Sequence, residues 1–153
     1  MLRRLIIAAV SAAAVAFTTA AIAQQANFGT AAEAKAMLEK AIAAVKADKA
    51  KALEMFNKGE GGFKDRDLYP FCFNISDGKA VASLAPVLGI DVRTLKDKTG
   101  HVFGEDVYKA AKDGQITEVS YMLPRPGSDP TPVQKISFVT KVGDLGCGVG
   151  YYK

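Results

Sequence analysis

Tyr69-Pro70-Phe71-Cys72-Phe73-Asn74-Ile75-Ser76-Asp77-Gly78-Lys79 is the stretch from which the fold follows. Large apolar residues stand at 69, 71, 73 and 75, a spacing of two that places them on one face of an extended strand. Ser76-Asp77-Gly78-Lys79 then supplies turn chemistry, since Asp bonds back to nearby amides and Gly accepts a positive φ. The chain is predicted to return through residues 80–84 as a hairpin. Pro70 has no N–H to give to a ladder and belongs at an edge or at the end of its strand.

Downstream, residues 115–123, 133–142 and 146–152 read as three further strands. They are joined by the turn-rich Pro124-Arg125-Pro126-Gly127-Ser128-Asp129-Pro130 and by Gly143-Asp144. Between hairpin and meander, Pro86 and the glycines at 89, 100 and 104 leave only two short helical candidates, 92–96 and 105–112. This is the irregular, pocket-forming part of the chain. Upstream, Thr30 and Glu33 form a capping box that starts a helix. Ala34, Leu38, Ala41, Ile42, Val45, Leu53 and Phe56 carry a helical apolar stripe with a polar interval at 46–51. That pattern gives one long helix to about residue 57, or two hinged near Asp48, whose side chain suits a second cap. Gly59, Gly61 and Gly62 end the helical region. Helix, hairpin, short helices and a three-stranded meander predict an α+β domain around one five-stranded antiparallel sheet.

With 153 residues, 49% hydrophobic and 24% charged, the chain fits one globular domain and excludes a multi-domain enzyme. Two cysteines and one histidine are too few for a zinc site of four cysteines or of two cysteines and two histidines, and no Cys-x-x-Cys-His is present for a c-type haem. No metal and no cofactor is expected. Residues 1–4 are basic, 5–20 are apolar and alanine-rich, and Ala21-Ile22-Ala23 is a small-x-small cleavage triplet, so 1–23 read as a signal peptide cut before Gln24. An uncleaved anchor is the alternative; either way the domain at 24–153 is expected outside the cytoplasmic membrane, in the periplasm. Removing Arg3 and Arg4 from the 20 basic residues leaves 18 against 16 acidic ones, a net +2 that gives no nucleic-acid footprint.

No set of acid, base and nucleophile can be assembled. Ser76 and Ser83 have no histidine placed by a motif, and no Gly-x-Ser-x-Gly elbow occurs. The glycine-rich 143–150 lacks the Gly-Lys-Ser/Thr ending of a phosphate loop. Its glycines are expected to permit close packing against the amino-terminal helix or to mark a bulge. His101 stands alone, and Asp97 to Gly100 reads as a turn that fixes a covering loop.

A chain of markers runs through the sequence: Leu68-Tyr69-Pro70-Phe71-Cys72 leading to Asp77-Gly78, Leu95-Lys96-Asp97-Lys98-Thr99-Gly100 followed by Phe103, the Tyr121 strand leading to Pro126, Lys135-x-Ser137-x-Val139, and Gly148-Val149-Gly150-Tyr151. In their order and spacing, residues 30–153 resemble the single Cache domain, the extracytoplasmic PAS-like sensor module of bacterial chemoreceptors and sensor kinases. The resemblance implies a long amino-terminal helix packed on a sheet with the strand order second, first, fifth, fourth, third. That order makes the strands of Cys72 and Cys147 neighbours, so a disulfide is expected, with two buried thiols as the alternative.

It also implies a ligand held between the sheet and a cover formed by about 86–112. Tyr121 and Lys135 then fall at the family's characteristic positions, and Arg93 could add a clamp from the cover. A small carboxylate is the favoured ligand, with amino acids and purine-like solutes open. Family domains often pair through the first helix, which implies a possible homodimer. Cache sensors normally sit between two membrane helices and pass a signal to a cytoplasmic domain, whereas this chain stops at Tyr151-Tyr152-Lys153. The expectation is a non-catalytic solute-binding module serving a membrane receptor or kinase. The competing expectation is a disulfide-stapled interaction module that docks on a membrane partner without a ligand. A pocket with polar groups above the sheet distinguishes the first from the second.

Overall fold

Thr30 opens the first helix as the sequence requires. In the computed structural model, which describes residues 27–127 and 129–153, Thr30 Oγ1 accepts the Glu33 N–H at 3.2 Å and Glu33 Oε2 accepts the Thr30 N–H at 2.8 Å. The segment read as a signal peptide, 1–23, lies outside the described residues. Helix α1, Ala31–Ala47, ends at Asp48, whose N–H bonds to the Ala44 carbonyl. The same Asp48 then caps α2, Lys49–Lys58, by accepting the Lys51 N–H at 3.0 Å. One residue thus closes one helix and opens the next, which resolves the choice between one helix and two. Gly59, at φ 66°, ends α2 in the left-handed conformation that glycine adopts at least cost.

The five strands are β1 Pro70–Asn74, β2 Ala80–Ala82, β3 Thr117–Pro124, β4 Pro132–Val142 and β5 Leu145–Tyr152. They form one antiparallel sheet in the order β2-β1-β5-β4-β3, the order that the resemblance implied. Strand β2 is shorter than the predicted 80–84 because the chain turns away after Ala82 to begin the cover. There the structure has a single 3-10 turn, Val92–Thr94, and α3, Phe103–Ala110, which starts two residues earlier than its apolar pattern suggested.

Helices α1 and α2 pack on one face of the sheet. Leu38, Ala41, Phe56, Leu68 and Val149 are all at most 1% exposed in this layer, and Phe56 meets Phe63 edge-on at 4.6 Å between centroids. Cys72 and Cys147 face each other in register on β1 and β5 and are joined by a disulfide within the same layer. Closing 75 residues of chain stabilises the fold by about 4 kcal/mol in the chain-entropy treatment. Among the described residues no helix is long and apolar enough to cross a membrane.

Candidate ligand site

The site begins with the alternation of β5. Leu145, Cys147 and Val149 point into the helix layer, which leaves Gly146, Gly148 and Gly150 on the opposite face. A Cβ on Gly146 would enter the Phe73 ring, one on Gly148 would stand 2.5 Å from Phe71 Cζ, and one on Gly150 would stand 2.7 Å from both Lys135 Cε and Ser137 Oγ. The neighbouring strands therefore lay their side chains across a bare central strand. This corrects the expectation that these glycines serve packing against the amino-terminal helix: they face away from it.

Above that floor lies a cavity of about 240 Å³. Phe71, Tyr121 and Lys135 line it from the sheet and Tyr69 from just ahead of β1; Val92, Leu95, Phe103 and Val107 line it from the cover. The Phe103 ring stacks on Tyr121 at 4.1 Å between centroids, so the first residue of α3 closes directly on β3. Gly104 brings that helix in close, because a Cβ there would collide with the Val92 carbonyl. Asp97 pins the cover to the sheet. Its Oδ1 accepts the Thr99 and His101 amides at 2.8 and 3.1 Å, and its Oδ2 accepts the Met122 amide of β3 at 3.0 Å. His101 is not alone: its Nε2 lies 2.8 Å from Asp106 Oδ2.

The three candidate binding residues divide into two groups. Tyr121 and Lys135 are directly paired in register on β3 and β4, and both line the cavity. Arg93 does not line it. Its Nε and Nη2 hold both oxygens of Asp91, Nη2 also donates to the Asp77 carbonyl, and the guanidinium lies 5.1 Å from the centre of the Tyr108 ring. The bidentate geometry expected of Arg93 is thus present but directed at Asp91, two residues away. In the cover the lining cation is Lys96, which is exposed.

Lys135 is 7% exposed, and its ammonium has neither a hydrogen bond nor an ion pair among the described residues. That ammonium lies 4.8 Å from the centre of the Tyr152 ring and 5.5 Å from that of Tyr69, and cation–π attraction of this kind returns only part of the lost hydration. Burial pulls its pKa down from 10.5 to about 8, with the Asp67 carboxylate opposing the shift through space. Tyr121 OH and Ser137 Oγ share a hydrogen bond of 2.7 Å, and burial raises the Tyr121 phenol above its ordinary value. With Ser137 as donor, the phenol proton remains available to an occupant of the cavity. Burial likewise raises Tyr69, and raises Tyr152 to about 12.

Sequence reasoning missed Tyr69, Phe103, Lys96, Ser137 and Tyr152 as parts of this site. The period of two in Lys135-x-Ser137 already set those two on one face, but the register that brings Tyr152 beside Lys135 is visible only in the sheet. Among the described residues no group of three or more His, Cys, Asp and Glu side chains is placed to hold a metal ion.

No protein-family profile matches the sequence, and no curated protein matches it. Solved structures do match in three dimensions. A methyl-accepting chemotaxis protein from Vibrio parahaemolyticus superposes with a TM-score of 0.58 at 20% identity, covering 78% of this chain and 86% of that one. A Cache chemosensory domain described for its recognition of carboxylic acids superposes with a TM-score of 0.53 at 21% identity, covering 88% and 90%. The fold is that of a Cache domain. A periplasmic sensor domain of a chemotaxis protein shares this Cache fold at a TM-score of 0.57 and 22% identity, covering 77% and 86%. In Cache terms, β1 to β5 are the PAS-like sheet, and the cavity lies between that sheet and its cover.

Proposed function

We propose that this Cache domain is a periplasmic module that binds a small carboxylate between sheet and cover and does not transform it. The observation that carries the reading is the Lys135 ammonium, buried without an ion pair among the described residues, in a cavity whose walls are mostly apolar. A drop in pKa from 10.5 to about 8 corresponds to about 3 kcal/mol spent on keeping that charge buried. A ligand carboxylate returns part of this by supplying the missing counter-charge, while the Tyr121 phenol adds a directional hydrogen bond. The carboxylic acid recognition described for one similar Cache domain supports the same ligand class.

In this reading residues 1–23 are a signal peptide, 24–153 are the mature domain, and the downstream partner is a membrane receptor or kinase. Lys96 takes the position in the cover at which Arg93 was expected. Catalysis is not part of the proposal. Ser137 stands near Lys135 and Tyr121, but it is 0% exposed and its Oγ is engaged by the Tyr121 hydroxyl. The cavity with its buried cation also favours a ligand-binding domain over a ligand-free docking module, for which a filled sheet face is expected.

A thermal-shift screen of the oxidised protein against small carboxylates, amino acids and nucleobases tests the reading, since ligand at 100 times its Kd adds about 2.7 kcal/mol to stability. A saturable shift confined to carboxylates, lost in Lys135→Met and weakened in Tyr121→Phe, is the expected result. A folded protein whose melting temperature no carboxylate moves overturns it.

A further inference from the structure

We propose that Asp97 is a positioning residue for the ligand site: its carboxylate latches the cover to β3, holds the Phe103 ring on Tyr121, and thereby sets the size of the carboxylate that the cavity retains. The inference rests on the proposed carboxylate site and adds what limits its occupant.

The cover is fastened differently at its two ends. Strands β2 and β3 are the two edges of the sheet, and the cover reaches both. At the β2 edge the attachment is backbone to backbone: the Ala80 N–H donates to the Ile90 carbonyl at 2.9 Å, the Gly89 N–H to the Ala80 carbonyl at 2.8 Å and the Val92 N–H to the Gly78 carbonyl at 2.8 Å. At the β3 edge the Lys98 N–H donates to the Met122 carbonyl at 3.3 Å, and the shorter bond is made by a side chain, Asp97 Oδ2 accepting the Met122 N–H at 3.0 Å.

The Asp97 side chain is 1% exposed, and its other oxygen gathers the turn that follows it. Oδ1 accepts the Thr99 hydroxyl at 2.6 Å as well as the amides of Thr99 and His101. The Asp97 N–H donates to the His101 carbonyl and the Gly104 N–H to the Leu95 carbonyl, so residues 95–104 are tied together as one segment. On either side of the latch the chain lines the cavity: Leu95, Lys96, Phe103 and Gly104 in the cover, Tyr121 and Leu123 on β3. The Phe103 and Tyr121 rings are 15° from parallel with centroids 4.1 Å apart, which leaves no room between them and makes the stack a wall of the site. Lifting 95–104 from Met122 parts those rings and extends the cavity towards the β3 edge, while the backbone bonds at the β2 edge stay in place. The end of the cover that depends on a single carboxylate is the end that gives way.

Two substitutions separate the latch from the turn. Asp97→Asn keeps one oxygen for the Thr99 and His101 amides and turns an NH2 towards the Met122 N–H, donor against donor, so the latch breaks and the turn remains. Thr99→Val removes the hydroxyl bond within the turn and leaves the link to Met122. Calorimetric affinities are measured for straight-chain carboxylates from acetate to octanoate. The affinity of octanoate relative to propionate is expected to rise roughly tenfold in Asp97→Asn and to stay near the wild-type value in Thr99→Val. A general loss of stability does not move this ratio, because a smaller folded fraction weakens both acids alike. Without ligand, the Met122 amide is expected to exchange roughly tenfold faster in Asp97→Asn, with weaker NMR cross-peaks between the Phe103 and Tyr121 rings.

An unchanged ratio in Asp97→Asn, or one raised equally in Thr99→Val, overturns the proposal. If Asp97→Asn does not fold, the wild-type protein carries the test: Met122 exchange faster with the longest acid bound than with propionate bound supports the latch, and equal protection in the two complexes overturns it. If no acid of the series binds the wild-type protein, the carboxylate reading falls. The latch then stands as the holder of Phe103 on Tyr121 where Met122 exchange and the ring cross-peaks respond to Asp97→Asn, and falls where they do not.

Discussion

The two faces of this sheet are built on opposite terms, although the same strands supply both. On the helix side β5 offers Leu145, Cys147 and Val149 to a layer of fully buried side chains closed by a disulfide. On the other side it offers Gly146, Gly148 and Gly150, and the neighbouring strands spread Phe71, Phe73 and Lys135 over it around a cavity. One face gains stability by burying apolar surface; the other gives some up by burying a cation that has no ion pair among the described residues. A domain whose first face is stable enough can keep its second face incomplete, and in the proposed function that incompleteness is what a ligand uses.

The comparison is most easily broken on the helix side. The double substitution of Cys72 and Cys147 by alanine is expected to lower stability by about 4 kcal/mol in denaturant unfolding. A loss under about 1 kcal/mol would mean that the helix layer does not need its staple. The next largest effect has the opposite sign. Lys135→Met is expected to raise stability at pH 7 by up to about 3 kcal/mol while abolishing carboxylate binding.

That gain carries a pH signature. Because the folded-state pKa of Lys135 is lowered from 10.5 to about 8, the native protein binds fewer protons than the unfolded chain between those values. Wild-type stability should therefore rise relative to Lys135→Met as the pH goes from about 8 to about 10, and the gap between them should close. A constant gap would place the cost elsewhere than in the charge. On the glycine file, Gly146→Ala is expected to cost about 2 kcal/mol by driving Phe73 off the floor. A neutral result would show that the rings can lift, and would sharpen the estimate of how much the cavity can reshape. Smallest is Thr30→Ala, which removes one half of the capping box at the start of α1 and should cost about 1 kcal/mol in thermal unfolding.

The elements legible in the sequence were those with local causes. The Thr30–Glu33 box, the apolar stripe of α1 and α2, the Asp77-Gly78 turn and the strand alternations each depend on residues within a few positions of one another. The strand order and the disulfide came instead through the likeness to a known fold, since no local rule states which strands adjoin. Two misplacements show where local rules stop. Arg93 has the side chain of an anion clamp, but its guanidinium is held by Asp91, two residues before it. The glycines of β5 announce close approach, yet period two leaves open which face is approached until the helices are docked. Asp67 shows no sequence signal at all: its hydrogen bond to the Gly29 N–H spans 38 positions.

The ring of phenols around Lys135 has one further consequence, which is optical. The chain contains five tyrosines and no tryptophan, and three of the five, Tyr69, Tyr121 and Tyr152, surround the buried ammonium. Ultraviolet emission from this domain therefore originates in large part at the place where an occupant would sit, undimmed by energy transfer to an indole. The molecule carries its own fluorescent reporter, and filling the cavity should be visible as a change in the intensity of its tyrosine emission without any label attached.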